Sequence, residues 1–193
     1  MSELFFTSDL HFGHKAIIKY STRPFKHVDE MDEKMIEQYN AVVGHTDRVY
    51  LLGDFSFYNS GRTVSIIHRL KGQKYFIRGN HDKWSDSSVV AQQFEWVKHY
   101  HELRVDDRKI VLCHFPFDTW NGAHKGSWHL HGHSHGSLRT YRGGRLDVGV
   151  DNQVADRPVF TPWHYDEIVQ ILTGQAYQSV DHHGERMSEA SKK

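Results

Sequence analysis

Across 193 residues, Lys plus Arg and Asp plus Glu balance at 24 each, leaving no net formal charge with neutral histidines. That balance excludes a protein that grips a polyanion or an anionic membrane by bulk charge. The length suits a single domain with a sizeable core, and the lone Cys113 excludes an intramolecular disulfide and fits a reducing compartment. No apolar stretch reaches the roughly 18 residues of a membrane span. Met1-Ser2-Glu3-Leu4-Phe5 lacks the features of a signal peptide, so the expectation is a cytoplasmic protein with no membrane partner. The one compositional oddity is 17 histidines. They form no run of six, and His182 and His183 fall in a polar C-terminal stretch.

In chain order, Leu4-Phe5-Phe6 is an apolar run broken at Ser8-Asp9, which predicts a buried strand followed by a loop. His14 to Tyr20 predicts a short helix that Pro24 keeps from continuing. Met31, Met35, Tyr39, Val42 and Val43 recur at near-helical spacing, with Asp29 suited to cap that helix and Gly44 to stop it. Val49 to Leu52 predicts the next strand, Val64, Ile67 and Leu70 a helix closing at Gly72, and Tyr75 to Ile77 a third strand. This β-α-β-α-β rhythm implies parallel strands joined by crossover helices. The second half is richer in strands: Phe94 to Val97, His101 to Val105, Lys109 to Leu112, Ser127 to Leu130, Leu138 to Tyr141 and Arg145 to Val150. Arg142-Gly143-Gly144 reads as a hairpin turn. A late helix follows Pro162 and carries Ile168, Val169, Ile171 and Leu172. The chain thus reads as one domain over residues 1–175 with a polar tail at 176–193.

Five polar islands end these apolar runs: Asp9-Leu10-His11, Gly53-Asp54, Gly79-Asn80-His81-Asp82, His114, and His131-Gly132-His133-Ser134-His135. They offer the oxygen and nitrogen donors that a pair of divalent metals requires. In locally extended backbone, Asp9 and His11 would point to one side, and His133 and His135 would repeat the arrangement. Asp54 has an oxygen for each of two cations, while Asn80 offers a carbonyl oxygen without charge. Taken singly, each island has an ordinary explanation: a loop cap at Asp9, a turn at Gly53-Asp54, a left-handed Asn80. Their recurrence at one strand end after another implies convergence on a single sheet edge. Cys113 precedes His114 on the same run and reads as core.

In this order, Asp-x-His, Gly-Asp, Gly-Asn-His-Asp, His and Gly-His-x-His resemble the calcineurin-like metallophosphoesterases. The resemblance spans about residues 4–150. The stretches Thr7-Ser8-Asp9-Leu10-His11-Phe12-Gly13-His14 and Leu52-Gly53-Asp54-Phe55-Ser56 are similar to small bacterial and phage-encoded phosphoesterases of that superfamily. The resemblance implies an α/β fold of two packed mixed β-sheets flanked by helices, a four-layer sandwich with a dinuclear centre where the loops meet. It assigns Asp9, His11 and His135 to a first metal, Asp54 to the bridge, and Asn80, His114 and His133 to a second. His131 receives no ligand role and reads as a packed or supporting imidazole. Manganese, iron, nickel, cobalt or zinc would suit these donors, with manganese favoured.

The implied reaction is hydrolysis of a phosphoester by a hydroxide formed between cations about 3.5–4 Å apart. His81 would stabilise the transition state or protonate the leaving oxygen. One departure stands out. Three residues after Asp54, where related enzymes often place a polar partner for this histidine, the chain has Phe57; Tyr58 follows where protein phosphatases carry arginine. Asp82 is then the candidate to orient His81. The expected substrate is a small phosphodiester such as a nucleotide or cyclic nucleotide, with His14 the candidate contact. Trp120 either stacks on a base or seals the core, Lys125 either meets phosphate or is solvated, and Arg23 is a second candidate to meet phosphate. A phosphomonoesterase, a nuclease and a scaffold without turnover remain the alternatives. Nucleic acid is not the favoured partner, and the oligomeric state is open.

Overall fold

The computed structural model describes residues 2–152, 154 and 157–180. Strand β1 (Leu4–Thr7) is buried throughout, and its side chains alternate between two separate cores. It pairs in parallel with β2 (Arg48–Leu51), which pairs in parallel with β3 (Gln73–Ile77), as does β4 (Val97–Lys98) with β3. The late strand β9 (Trp163–His164) closes the other edge antiparallel to β1, giving the order β4-β3-β2-β1-β9. A second sheet runs β5 (Tyr100–Val105), β6 (Arg108–Cys113), β7 (Trp128–His131) and β8 (Arg145–Asp147). Here β5 is antiparallel to β6, and the other pairs are parallel. Both sheets are therefore mixed, as the motif resemblance implied.

Among the described residues, five α-helices flank them: α1 (Ile17–Tyr20), α2 (Val28–Val42), α3 (Ser60–Arg69), α4 (Ser88–Ala91) and α5 (Tyr165–Leu172). On α2, Met31, Met35, Ile36 and Tyr39 form the buried stripe that covers Phe5, Val49, Leu51 and Phe76 of the first sheet. His27 caps this helix by position in place of the expected Asp29, which lies in its first turn. Asn59 caps α3 by accepting the Arg62 N–H at 3.0 Å. Between the sheets, Leu4, Phe6, Tyr50 and Leu52 meet Ile110, Leu112, Trp128 and Leu130, with Trp163 and Ile168 sealing one side. Each such large apolar side chain contributes about 1.5–3 kcal/mol on full burial. The outer face of the second sheet is covered only lightly, by Trp120 and Ala123 against Val111.

Four further sequence expectations change. Leu138 to Tyr141 forms no strand, and Arg142 to Gly144 closes no hairpin. The carbonyl of Arg142 instead accepts the N–H of Gln178 at 2.8 Å, so the turn pairs with the chain's late segment. The strand expected at Phe94 to Val97 shrinks to Val97–Lys98 because Phe94 stacks on Phe76 in the helix-side core. Tyr177, placed in the expected tail, packs edge-on against Trp120 and donates to the Asp118 carbonyl at 2.9 Å. Residues 181–193 of that tail lie outside the described residues. Among the described residues, no helix is long and apolar enough to cross a membrane.

Candidate metal centre

The islands follow the carboxyl ends of β1, β2, β3, β6 and β7, and a parallel bridge between Ser8 and Gly149 ties the two sheets together at that rim. Five of the seven expected ligands occupy left-handed backbone: Asp9 (φ 58°), His11 (φ 54°), Asp54 (φ 52°), His133 (φ 66°) and His135 (φ 47°). The extended conformation expected for the Asp9/His11 and His133/His135 pairs is thus replaced by tight reversals. Asn80, for which a left-handed turn was an ordinary explanation, is not left-handed. Such residues cost about 1–3 kcal/mol each and persist where surrounding structure holds them. Here the Asp9 N–H donates to the Gly53 carbonyl at 3.0 Å and the His11 N–H to the Asp54 carbonyl at 2.9 Å. The glycines preceding ligands answer to space as well. A Cβ on Gly132 would collide with Ser8 Oγ and the Asp9 carboxylate, and one on Gly79 would collide with the Asp54 carboxylate.

These constraints point the donors at one another. Asp9 Oδ1 lies 3.9 Å from His11 Nε2 and 3.8 Å from His135 Nε2. Asp54 Oδ2 lies 3.6 Å from both His11 Nε2 and His114 Nε2, and 3.9 Å from His81 Nε2. Asp9, His11 and His135 form one group able to hold a metal ion, and Asp9, Asp54 and His114 another. Asn80 Oδ1 completes the far side at 3.1 Å from His114 Nε2 and 3.0 Å from His133 Nδ1.

The residues present fit divalent ions on three observations. First, Asp9 Oδ1 and His11 Nε2 are buried and have no hydrogen-bond partner, a costly state for polar atoms that a cation relieves. Second, separations of 3.6–3.9 Å are too long for hydrogen bonds but suit two donors that each approach one ion to about 2.0–2.2 Å. Third, His114 Nδ1 donates to the Leu52 carbonyl at 2.8 Å, so in the neutral ring Nε2 presents a lone pair to Asn80 Oδ1. Both atoms then present lone pairs that a cation beside them could take.

The electrostatics agree. Burial, helped by the neighbouring Asp147 and Asp54 carboxylates, pushes Asp9 well above the ordinary carboxylate range, against the opposing charge of His135. Burial drives His11 and His114 down, which keeps the rings neutral and able to act as ligands.

Three further carboxylates shape the rim. Both oxygens of Asp82 are engaged by backbone: Oδ2 accepts the N–H of Asp54 (2.7 Å) and of Gly79 (2.7 Å), and Oδ1 that of Phe55 (2.9 Å). This corrects the expectation that Asp82 orients His81. It staples the Gly53-Asp54 turn to the Gly79-Asn80 turn, and burial raises its pKa to about 6 despite those bonds. Asp147 does the same for the second sheet, accepting from Gly136 and Gly149 N–H groups at 2.9 and 2.8 Å. The third, Asp151, accepts the His135 ring N–H at 2.7 Å. The sequence reading missed it, although it follows the apolar Val148-Gly149-Val150 just as the other islands follow their runs.

Other candidates separate cleanly. Arg23 is 4% exposed and spends its donors on Asp151 and on two carbonyls, so it is no phosphate contact. Trp120 is buried and donates to the Ser127 carbonyl, which makes it part of the core, and Lys125 is exposed at the end of the short 3-10 turn Ala123–Lys125. His131 is buried with Nδ1 on the Gly132 carbonyl, and Cys113 is buried. His14 shares a 3.0 Å Nδ1 contact with His11 and stacks on Phe57 at 3.9 Å between ring centroids. Phe57 also leans on His81 at 4.8 Å. A cleft of about 830 Å³ opens beside these rings, bordered across from them by Leu138 and Arg139.

Two mixed sheets whose loops bring the donor islands to one rim are the arrangement that the motif resemblance implied. No protein-family model matches the chain. It is 34% identical over 178 residues to the uncharacterized protein MJ1445 of Methanocaldococcus jannaschii, covering 89% of this chain and 92% of that one. It is 30% identical over 185 residues to the gene 66 protein of Mycobacterium phage L5, covering 78% of this chain and 87% of that protein. The chain belongs to the family that these two proteins represent. A protein of unknown function, AQ665 from Aquifex aeolicus, shares the fold at a TM-score of 0.67 and 22% identity, over 89% of this chain and all of that one.

Proposed function

We propose that the chain is a metal-dependent phosphoesterase with two divalent ions, acting on a small phosphodiester such as a nucleotide or cyclic nucleotide. The observation that carries this reading is the convergence of Asp9, His11, Asp54, Asn80, His114, His133 and His135 at one rim, with Asp9 Oδ1 and His11 Nε2 buried there without a hydrogen-bond partner. Asp9, His11 and His135 would hold one ion and Asn80, His114 and His133 the other. Asp54, whose Oδ2 is 3.6 Å from both His11 Nε2 and His114 Nε2, would serve both. Divalent ions bound there supply a nucleophile at neutral pH and offset charge on the phosphoryl oxygens.

The chain's own groups do the rest. The His81 side chain is 45% exposed at the cleft, and its backbone N–H donates to Asp54 Oδ1 at 3.0 Å, which fixes the start of the ring's reach. We assign it proton donation to the leaving oxygen. Phe57 and His14 give the cleft a flat aromatic wall suited to a planar leaving group. Among the described residues lining that cleft, Arg139 is the one Lys or Arg, which favours a small ester over a polyanion. The cleft volume is within the roughly 300–1,000 Å³ range of small-molecule sites.

The test is reconstitution with manganese followed by a screen of mono-, di- and cyclic phosphoesters, wild type beside His81→Ala. The expectation is close to two ions per chain in both proteins. Turnover of a diester should fall by about 10²–10⁴-fold in the variant. A single tightly held ion, or no turnover of any ester, would sink the reading.

A further inference from the structure

The two halves of the centre are supported differently, and the difference assigns a task to Arg23 and Asp151. Arg23 is buried, and its guanidinium grips the Asp151 carboxylate with two bonds, Nε to Oδ1 and Nη2 to Oδ2, each 2.8 Å. The same group donates through Nη2 to the Asp9 carbonyl at 2.7 Å and through Nη1 to the Leu10 carbonyl at 3.0 Å. Asp151 Oδ2 in turn accepts the His135 Nδ1–H at 2.7 Å, which leaves His135 Nε2 as the lone-pair nitrogen, 3.8 Å from Asp9 Oδ1. One buried arginine therefore ties the left-handed turn that carries Asp9 to the carboxylate that sets the tautomer and direction of His135. The side chains of the pair are 1% and 5% exposed, so the ion pair is shielded from water and rigid. A bidentate pair this deep would be a poor way to gain stability alone, since desolvation offsets much of its attraction.

Among the described residues, no buried ion pair of this kind orients His114 or His133. His114 is oriented by the Leu52 carbonyl, and His133 meets Asn80; neither touches Arg23 or Asp151. We infer that Arg23 and Asp151 are a positioning pair for one metal position alone, that of Asp9, His11 and His135. Carboxylate partners of ligating histidines fix ring orientation and raise ligand basicity, and removing them costs about 10–100-fold in metal affinity. In this chain the effect should fall on one of two ions.

This inference rests on the two-ion reading above, and the experiment separates their failures. Metal-free wild type and Asp151→Asn are titrated with cobalt alone, following heat release and the visible cobalt spectrum. Asparagine keeps the size and an acceptor oxygen but gives up the charge that Arg23 and His135 share. Wild type should show two binding steps. In Asp151→Asn one step should weaken by about 10–100-fold, with its spectral component altered, while the other keeps its affinity and spectrum. Arg23→Lys, which keeps charge but loses the two-bond grip, should weaken the same step. Equal weakening of both steps, with a lowered Tm of the metal-free protein, would reassign the pair to general stability and overturn the proposal. Two unchanged steps would overturn it as well. A wild type that binds fewer than two ions would defeat the two-ion reading first.

Discussion

The two sheets contribute unlike chemistry to the same focus. Loops of the five-stranded sheet bring every oxygen donor, Asp9, Asp54 and Asn80, with the single imidazole His11. Loops of the four-stranded sheet bring imidazoles only, His114, His133 and His135. In the proposed assignment the first sheet would therefore supply the carboxylates and the second the imidazole nitrogens. Neither half is a site alone. Cross-ties keep the halves in register: Asp9 Oδ2 accepts the His133 N–H at 2.9 Å, His114 Nδ1 reaches the Leu52 carbonyl, and Ser8 bridges to Gly149. Packing Leu4, Phe6 and Leu52 against Leu112 and Leu130 holds the two donor sets together at one rim.

The sharpest way to break this division is at Asp54, the carboxylate that sits between histidines of both sheets. Asp54→Asn keeps an oxygen able to accept the His81 N–H but removes the charge. Both ions should be lost in metal analysis after manganese reconstitution, and diester turnover should drop to background. Retention of one ion at wild-type affinity would show that Asp54 serves one sheet's half rather than the junction.

A smaller effect is expected from the staple inside the first sheet. Asp82→Ala would leave the buried N–H groups of Asp54 and Phe55, and that of Gly79, without their acceptor. Each unsatisfied buried donor costs about 1–3 kcal/mol, so urea denaturation of the metal-free variant should show a loss of about 3 kcal/mol or more. Asp82→Asn, which can accept only through one oxygen, should fall between wild type and alanine. If alanine unfolds at the wild-type urea concentration, the turns are held by the sheet packing and the staple is redundant.

How much of this could be read from residue order follows from the range of each interaction. A ligand island needs only a strand, a turn and two or three side chains, so Asp9-x-His11, Gly53-Asp54 and Gly132-His133-Ser134-His135 were legible, as was the β-α-β-α-β opening. Backbone handedness at those ligands was not, because extended and left-handed turns place the same residue types at the same spacing. Asp151 and Arg23 stand 128 positions apart and meet only because β8 lies at the rim beside β1's loop. No local pattern announces such a pair. Asp82 misled for a related reason: adjacency to His81 suggested partnership, whereas its side chain turns inward to three amides. The strand expected over Leu138 to Tyr141 failed because a β-like pattern needs a partner, and the Arg142 turn had already paired with Gln178.

The smallest effect sharpens the comparison at the cleft, where the first sheet shows its aromatic side. Phe57 is 40% exposed, stacked on His14 and leaning on His81, in the position where a polar residue could have gripped the His81 ring. A phenyl ring cannot accept the ring N–H of His81, but it offers a flat surface to a planar leaving group beside the proton donor. Aromatic contacts of this kind are worth about 0.5–1.5 kcal/mol, or about 2- to 10-fold in rate. Phe57→Ala should therefore lower kcat/KM for aryl and nucleoside diesters by about 2- to 10-fold relative to an alkyl diester, with two manganese ions still bound. The comparison of esters is what decides the matter. An equal fall for aryl and alkyl diesters would assign Phe57 to holding the His14 and His81 rings in place, and the first sheet's aromatic wall would then serve the catalytic histidine rather than the substrate.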